Sequence, residues 1–320
     1  MATYILRRLI QAIPIVVGIS LISFLIVYLT PGSPVDKFRT PRVSPQTIAN
    51  LIHLYGLDQP LPIQFWNWFT HFWSFPWDNL AWGYSFTDGR PVRDKIFQRI
   101  PSTLLLMGTS LVVSLVIAIP IGILQAIKQY SWADRIITTF ETIGYAMPTF
   151  WLGLILKQFF AVNLNWLPLN GQNTLGKQGD IPDMIMHLIL PVTTLAVVSI
   201  AGWSRYMRAS MLEVMRQDYV RTARAKGLPP SRVIGRHALR NAMIPIVTLL
   251  GLTIPSLLSG AAITETVFSW PGLGWLGVTS VGDRDYPVVL AVTMIGGMMV
   301  IIGNLLADVL YAVVDPRIHY

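Results

Sequence analysis

Long apolar stretches, separated by polar intervals of very different lengths, make up most of this 320-residue chain. Six of the stretches reach about 20 residues, the length that an α-helix needs to cross roughly 30 Å of hydrocarbon. The pattern therefore predicts an all-α membrane protein with about six transmembrane helices. The predicted spans are 9–29, 103–127, 136–161, 184–203, 242–263 and 288–313.

The polar intervals differ in charge, and this difference predicts the orientation. The interval 204–240 contains nine Lys or Arg but only two acidic residues. If the N-terminus is cytoplasmic, the inner segments 1–8, 128–135, 204–240 and the C-terminal tail together hold 14 Lys or Arg, and the short outer loops hold two. Cytoplasmic loops carry the excess of basic residues in membrane proteins. Both termini and the basic loop are therefore predicted to be cytoplasmic.

Composition agrees with a membrane protein, since 53% of the residues are hydrophobic and only 12% are charged. The net charge of +8 does not point to nucleic acid, because the basic residues lie in the gaps between apolar stretches. The chain has no cysteine, which excludes disulfides, thiolate catalysis and cysteine-based metal sites. The first apolar stretch follows Arg7 and Arg8 and is too long for a signal-peptide core, so we expect it to be retained.

The interval 30–102 is predicted to lie outside, and it is rich in tryptophan. Five of the eleven tryptophans fall within residues 66–82. Tryptophan favours the headgroup level, where its ring is buried and its N–H stays hydrated. We therefore predict a short helix near Pro62–Trp73 that lies on the outer membrane surface. The alternative is that the same aromatic segment is a docking surface for an external partner.

One segment nearly matches a phosphate-binding loop but lacks its chemistry. In residues Gly171–Gln178 the lysine is followed by Gln178, whereas the motif requires a Ser or Thr hydroxyl for magnesium and a strand before it. Neither HExxH nor GxSxG occurs, and the five histidines are scattered. No catalytic residue, bound cofactor or metal is therefore predicted. Only His187 falls near the interior of a span, and we expect it to be packed and hydrogen-bonded.

Three charged residues fall within predicted spans, Glu141 and Lys157 in the third and Asp308 in the sixth, and Asn304 shares a helix face with Asp308. A charge at the centre of a span costs about 2.5–3.5 kcal/mol in insertion experiments, so such groups should face protein or water. Glu141, Asn304 and Asp308 are therefore candidates either for a solute pathway or for polar contacts between helices. Lys157 is predicted to lie near the outer end, where its long side chain can reach the interface.

The basic loop 204–240 has the residues of a helix with a defined end. Good helix formers run from about Glu213 to Lys226, and Gly227 suits the left-handed conformation that ends a helix. One face of this predicted helix carries residues at i+4 spacing. These are Met211, Met215, Tyr219 and Ala223.

The turn that follows is predicted to lead into a second helix. Pro229 and Pro230 prevent the first helix from continuing, and Ser231 is a predicted N-cap for a helix that runs into the fifth span. Membrane topology needs only a few positive charges and not an ordered helix–turn–helix. We therefore interpret the loop as a rigid cytoplasmic projection that fits a groove of a partner. The alternative is a loop that only sets the topology.

The sequence of this loop resembles the cytoplasmic loop of ABC-importer permeases, and most closely the B-type permease of dipeptide, oligopeptide and nickel importers. The general pattern is Glu-Ala-Ala, three residues, Gly; here only Ala223 and Gly227 match, and Arg221 replaces Glu. The Arg-Thr-Ala-Arg-Ala-Lys-Gly form is nevertheless usual in the peptide branch. The stretches that carry the resemblance are Asp218-Tyr-Val-Arg-Thr-Ala-Arg-Ala-Lys-Gly227 and Arg236-His-Ala-Leu-Arg-Asn-Ala-Met-Ile-Pro245.

Further blocks in the same order extend the resemblance over nearly the whole chain. They are 7–32, Gly83-Tyr-Ser-Phe86, Arg99-Ile-Pro-Ser-Thr-Leu104, Glu265-Thr-Val-Phe-Ser-Trp-Pro-Gly-Leu-Gly274, Arg284-Asp-Tyr-Pro287 and Asp315-Pro-Arg317. The resemblance implies a type I ABC-importer permease fold over residues 100–314, with 204–240 as its coupling loop. Residues 1–99 would add a first span and a long external loop, and 315–320 a short cytoplasmic tail.

The resemblance implies that the chain forms half of the translocation pathway of an ATP-driven importer for peptides, nickel or other small solutes. It implies a prokaryotic inner-membrane location, a second homologous permease, two cytoplasmic ATPase subunits that hold ATP and Mg, and an external solute-binding protein. A stand-alone secondary transporter or channel is the alternative, as is, more remotely, an intramembrane enzyme. The residues to which the resemblance assigns ATPase coupling are Asp218, Tyr219, Arg221, Thr222, Ala223, Arg224, Ala225, Lys226 and Gly227.

Overall fold

The computed structural model of the chain describes residues 2–29, 35, 43–54, 56–74 and 82–314. Regular structure in these residues is helical, apart from one isolated antiparallel bridge between Tyr84 and Pro91. The all-α prediction is therefore confirmed. The α-helices are α1 (Ala2–Leu29), α2 (Pro45–Leu54), α3 (Leu61–Trp73), α4 (Val92–Ile127), α5 (Trp132–Ala146), α6 (Thr149–Leu156), α7 (Ile181–Met215), α8 (Asp218–Ala225), α9 (Pro230–Arg232), α10 (Leu239–Ser259), α11 (Ala262–Val267), α12 (Leu273–Gly282) and α13 (Tyr286–Val314).

Five helical segments of the described residues are long and apolar enough to cross a membrane, and the number is six if one bent helix pair is counted as a span. This agrees with the predicted six, although several helices are longer than their apolar cores. Helix α4 begins at Val92, well before the predicted start at 103, and α7 continues to Met215, well past the predicted end at 203. The predicted basic loop is therefore shorter, because its first part completes α7.

The third predicted span, 136–161, is not one continuous helix. Helices α5 and α6 meet at an angle of 103°, with Met147 in an extended conformation (φ −80°, ψ 124°) and Pro148 as the N-cap of α6. A proline disfavours helical geometry in the residue before it and cannot donate a backbone hydrogen bond. Helix α6 then passes into a π-helix at Lys157–Asn163, so the segment is broken twice rather than continuous.

Small residues allow the long helices to approach each other closely. At Gly122 of α4, an added Cβ would lie 2.6 Å from the carbonyl oxygen of Ser204 in α7. At Gly303 of α13, an added Cβ would lie 2.6 Å from the Cα of Pro255 in α10. Close backbone approach at small residues is a usual way to pack transmembrane helices, because hydrocarbon offers no hydrophobic driving force between them.

The N-terminal helices α1 and α3 pack against the rest of the helix bundle. Helix α1 lies against α13, where the hydroxyl of Ser20 donates to the sulfur of Met294 at 3.2 Å. The aromatic ring of Phe24 in α1 lies 5.5 Å from that of Phe65 in α3. The ring of Phe72 in α3 stacks on that of Trp82 at 5.1 Å, and both are buried.

A helix is present where one was predicted near Pro62–Trp73, as α3, but part of its aromatic surface is core. Phe72 and Trp82 form one buried cluster with side chains of α4, α12 and α13. Ile63 and Trp66 remain exposed, with 47% and 62% of their surface accessible. The segment therefore combines an inner face that packs on the protein with an outer face that is free for lipid or a partner. Trp77 lies outside the described residues.

Candidate functional site

Helix α8 is the centre of the predicted coupling loop, and it is separate from the helix before it. Helix α7 ends at Met215, and Gln217 is extended (φ −71°, ψ 149°). The single helix predicted from Glu213 to Lys226, with Met211, Met215, Tyr219 and Ala223 on one face, is therefore wrong. The break redirects the chain so that the apolar side chains of α8 can be buried, and the Gln217 carbonyl accepts the first hydrogen bond of the new helix, from Val220 N–H at 3.0 Å.

One face of α8 is held against the protein. Val220 and Ala223 pack with Val233 of the next helical segment, and their accessible fractions are 0%, 5% and 1%. Val214 and Leu228 close this small cluster. Ala223, which the resemblance assigned to coupling, therefore anchors α8 and is not free to touch a partner.

The other face of α8 and its C-terminal turn are exposed. The ion pair of Arg221 with Asp218 has a distance of 3.6 Å, and both side chains are at least 80% accessible. An ion pair this exposed contributes little to stability, so both charges remain available to a partner. The exposed residues among those assigned to coupling are Asp218, Tyr219, Arg221, Thr222, Arg224, Ala225, Lys226 and Gly227.

Gly227 ends α8 as predicted. Its φ of +73° is left-handed. The N–H of Gly227 donates to the Arg224 carbonyl at 2.9 Å, and the N–H of Leu228 donates to the Ala223 carbonyl at 3.4 Å. This pair of hydrogen bonds is a Schellman motif, in which the residue after the glycine packs back on the helix. Leu228 belongs to the cluster that buries Ala223. The motif therefore fixes the turn and the buried face together.

The second helical segment begins two residues earlier than predicted. Pro229 is the N-cap of α9 and Pro230 is its first residue, so Ser231 lies inside the first turn and the prediction of Ser231 as N-cap is wrong. Proline suits a first helical position because it needs no backbone donor there. The segment continues as a π-helix, Val233–Ala238, and then as α10. A helical connection therefore runs from the turn into the bundle.

Two side-chain contacts attach the loop to α10. The amide Nδ2 of Asn241 donates to the hydroxyl oxygen of Tyr219 at 3.1 Å, and to the carbonyl of His237 at 3.1 Å. At the end of α7, the Ser210 hydroxyl donates to the Ala242 carbonyl at 2.8 Å. Helix α8 is therefore linked to α7 through the chain and to α10 through Tyr219.

Two of the nine basic residues of 204–240 are structural. Arg208 of α7 forms an ion pair with Asp134 of α5 at 2.8 Å, and Asp134 is nearly inaccessible at 4%. Asp134 also accepts from the Tyr130 N–H at 2.9 Å. Arg205 lies over the ring of Tyr145 at 5.4 Å. Sequence reasoning had treated both arginines only as determinants of topology.

Glu141 makes a contact between helices beside this ion pair. Its Oε2 accepts a hydrogen bond of 3.2 Å from Nε2 of Gln125 in α4, and both side chains are buried. The Oε1 atoms of both residues are buried without a partner in the described part of the chain. Buried polar atoms of this kind ordinarily bind ordered water. The hydrogen bond of Gln125 with Glu141 and the ion pair of Arg208 with Asp134 therefore join α4 and α7 to α5.

Neither Asn304 nor Lys157 belongs to this cluster of polar contacts. Asn304 is exposed on α13, and the side chain of Asp308 lies outside the described residues. Lys157 donates to the carbonyl of Val267 at 2.8 Å and to Oδ1 of Asn170 at 2.7 Å. Its ammonium group is thus held by the last residue of α11 and by the loop that follows the π-helix.

The segment Gly171–Gln178 is an ordered loop, and no strand precedes it in the described residues. The N–H of Gly171 donates to the Phe268 carbonyl at 2.9 Å. As expected, His187 is buried, and its ring nitrogens lie 3.1 Å from the Gly171 carbonyl and 3.3 Å from the Thr174 hydroxyl. Among the described residues, no three His, Asp or Glu side chains are placed to hold a metal ion.

A second polar centre, at the opposite end of the bundle, was missed by sequence reasoning. Glu265 of α11 is fully buried; it accepts from the Thr103 hydroxyl at 3.0 Å and from the Trp275 N–H at 2.9 Å. Burial raises the pKa of Glu265, and these donors act against the rise. At Gly272, an added Cβ would lie 2.4 Å from the carboxylate. The only sequence signal was an acid within the apolar block that ends in Pro-Gly-Leu-Gly.

Asp285 forms a similar centre that fixes the loop before α4. Its Oδ2 accepts from the Ser85 hydroxyl at 2.5 Å and its Oδ1 from the Phe86 N–H at 2.9 Å. The ammonium of Lys95 donates to the same Ser85 oxygen at 3.0 Å. Two of the blocks that carried the resemblance, 83–86 and 284–287, are therefore joined at the start of α13.

Comparison with known proteins agrees with this architecture. The family model "Binding-protein-dependent transport system inner membrane component" matches residues 118–320, and the model of the N-terminal part of that membrane component matches residues 1–107. A chain of the MetNI methionine ABC transporter, in a structure of its inward facing conformations, superposes with a TM-score of 0.52 at 16% identity. The superposition covers 69% of this chain and 98% of that chain.

Two curated relatives match over the full length. The chain is 45% identical over 324 residues to the oligopeptide transport system permease protein AppB of Bacillus subtilis (strain 168), and the match covers 100% of both chains. It is 40% identical over 320 residues to the glutathione transport system permease protein GsiC of Salmonella choleraesuis (strain SC-B67), again over 100% of both chains.

The fold and the comparisons define a multi-pass α-helical permease of the inner membrane. The chain belongs to the family of binding-protein-dependent transport system inner membrane components, among the ABC-importer permeases of the peptide and oligopeptide type. It is a transporter subunit and not an enzyme by family.

Proposed function

We propose that this chain forms half of a peptide translocation pathway and that α8 transmits the motion of separate ATPase subunits to the bundle. The observation that carries the coupling role is the division of α8 into two faces. Val220 and Ala223 are buried against the protein, whereas the residues around Arg221 and Arg224 are exposed. A capped, anchored helix can seat in a partner's groove and move the spans as it is displaced.

The proposed assembly contains a second, homologous permease, two cytoplasmic ATPase subunits and an external solute-binding protein. The ATPase subunits hold ATP and Mg, and this chain holds no cofactor of its own. Both termini and α8 face the cytoplasm of a prokaryotic cell. The relatives named for oligopeptide and glutathione transport support a peptide as the solute. Residues 100–314 are the permease domain, and residues 1–99 contribute a first span and an external surface.

A single charge reversal tests the coupling role. Arg224 is exposed on the free face of α8, so Arg224→Glu should lower both the yield of co-purified ATPase subunits and solute-stimulated ATP hydrolysis. Lys128, exposed at the end of α4, gives a matched control because it is predicted to lie on the same side of the membrane. Lys128→Glu should leave both quantities near wild type. If both reversals lowered ATPase co-purification and ATP hydrolysis equally, the proposal that α8 is the contact for the ATPase subunits would be wrong.

The solute assignment is tested on the partner that selects the solute. The external binding protein that co-purifies with the assembled complex is titrated by calorimetry with di- to pentapeptides and with nickel ions. Binding of peptides and no binding of nickel supports a peptide importer. Solute uptake into vesicles that contain this chain alone, without ATP, would instead favour a stand-alone secondary transporter or channel.

A further inference from the structure

Three arginines form a stripe on the segment that leads from the α8 turn into α10. Arg232, Arg236 and Arg240 recur at four-residue intervals, and all three are exposed. They lie on one continuous helical segment, Pro230–Leu257, in which α9, the π-helix and α10 follow without a break. Residues four apart are neighbours on a helix surface, so the three arginines form one row along the segment.

The three guanidinium groups have no carboxylate partner in the part of the chain that the structure describes. The ion pairs of the neighbouring basic residues are those of Arg208 with Asp134 and of Arg221 with Asp218. The stripe therefore presents three unneutralised positive charges. Nearby, Val233 and Ala238 are buried and fix the rotation of the segment.

The same face continues into the span as exposed apolar surface. From Arg240, the positions at i+4 and i+7 are Ile244 and Val247, which are 55% and 39% accessible. Positive groups followed along one helix face by exposed aliphatic side chains match a phospholipid, whose anionic headgroup is followed by acyl chains. Helix α8 lacks this continuation, because it has only eight residues and no span extends from it.

The length of the segment places the stripe at headgroup level. Pro230–Leu257 has 28 residues, which extend about 42 Å as a helix, whereas the hydrocarbon core is about 30 Å thick. About 12 Å, roughly eight residues at the Pro230 end, therefore lies beyond the hydrocarbon and holds Arg232 and Arg236, while Arg240 lies close to its boundary. Basic residues just outside a span attract anionic lipid headgroups.

We propose that Arg232, Arg236 and Arg240 form a binding site for anionic phospholipid, with Ile244 and Val247 in contact with the first part of an acyl chain. The site lies directly beside the contact of α8 with the bundle, because Val233 of the same segment packs on Val220 and Ala223. A bound lipid would therefore hold the segment on which α8 rests. The proposal depends on neither the solute nor the ATPase partner.

Native mass spectrometry of the full-length chain in detergent tests this site. The purified chain is titrated with dioleoylphosphatidylglycerol and, separately, with dioleoylphosphatidylcholine. Wild type should bind phosphatidylglycerol more tightly, and the triple variant Arg232→Gln, Arg236→Gln, Arg240→Gln should lose about tenfold or more of that preference. The triple Arg→Lys variant at the same positions keeps the charges and should retain most of the preference, which separates loss of charge from misfolding.

A matched variant removes the same number of charges from α8. Arg221→Gln, Arg224→Gln, Lys226→Gln should leave the phosphatidylglycerol preference unchanged. An equal loss in both glutamine variants, or no preference in wild type, would overturn the proposal. It would also be overturned if the stripe variant lost co-purifying ATPase subunits but kept its lipid preference, since the stripe would then be a protein contact.

Discussion

The guanidinium group of Arg208 lies 2.8 Å from the carboxylate of Asp134, and this ion pair joins α7 to α5. Asp134 is only 4% accessible, so its charge depends on Arg208 and on the Tyr130 N–H for compensation. Helix α7 leads directly to the break before α8. The pair therefore lies on the path along which displacement of α8 would reach the broken span formed by α5 and α6.

Removal of Arg208 should destabilise the chain strongly. Arg208→Ala leaves the buried Asp134 carboxylate without its cation, and breaking a buried ion pair in this way costs about 3 kcal/mol or more. The measurement is the thermal unfolding midpoint in detergent. Arg208→Lys keeps a cation but loses the planar group, so its loss should be smaller.

Arg205 supplies the control for this prediction. It is exposed, and it contacts the ring of Tyr145 and, at 3.3 Å, the Thr142 hydroxyl. Arg205→Ala should lower stability by no more than about 1 kcal/mol, because exposed cation–π contacts are weak. If Arg205→Ala lowered stability as much as Arg208→Ala, the loss would come from removing any positive charge here and not from breaking the buried ion pair.

Replacement of Gly227 should uncouple ATP hydrolysis from transport. The φ of +73° is unfavourable for a β-branched residue by about 1–2 kcal/mol, although no atom within 4 Å would obstruct the new Cβ. Gly227→Val should therefore distort the turn and the position of α8 without disturbing the spans. The ratio of solute taken up to ATP hydrolysed, measured in proteoliposomes with the complete complex, should fall while membrane insertion stays normal.

Asparagine is the informative control at this position, because it tolerates the left-handed conformation better than other non-glycine residues. Gly227→Asn should keep most of the wild-type transport ratio. Normal transport and normal solute-stimulated ATPase activity in Gly227→Val would exclude this turn as part of the coupling element.

The lengths of the apolar stretches predicted the number of spans. They did not show where a span is broken into two helices. The apolar length of 136–161 predicted one helix, but Met147 and Pro148 turn the chain by 103°. A proline in an apolar stretch is compatible with either a kinked or a broken helix. The choice depends on packing against α7 and α11, which a single sequence does not reveal.

At the candidate site, local chemistry was easier to predict than exposure. Gly227 correctly predicted the end of α8, because few other residues adopt positive φ. Ala223 was grouped with its neighbours, yet it is buried because Val233 and Leu228 lie over it. The partners of Glu265 were not predictable, because Thr103 is far away in sequence and the contact exists only in the folded bundle.

The contact between α4 and α7 should depend on the absence of a side chain at Gly122. An added Cβ would lie 2.6 Å from the Ser204 carbonyl and 2.7 Å from the Met207 Cβ. Gly122→Ala should therefore destabilise the chain by about 1–3 kcal/mol through overpacking. Gly108, in the same helix, has no atom within 4 Å of an added Cβ. Gly108→Ala should leave the thermal unfolding midpoint unchanged or raise it. If Gly108→Ala lowered the midpoint more than Gly122→Ala, this packing would be contradicted.

The carboxylate of Glu265 should not tolerate a methyl group beside it. Gly272→Ala would place a Cβ 2.4 Å from that carboxylate, which is enclosed by Thr103 and by the Trp275 N–H and cannot move freely. We expect a loss of about 1–3 kcal/mol, measured as a lower thermal unfolding midpoint. Gly282→Ala, at the end of the same short helical region, has open space and should have little effect. If Gly272→Ala is as stable as Gly282→Ala, the loop is not fixed around Glu265. A shared defect of Gly272→Ala and Glu265→Ala, with no further loss in the double variant, would show that both act through this one contact.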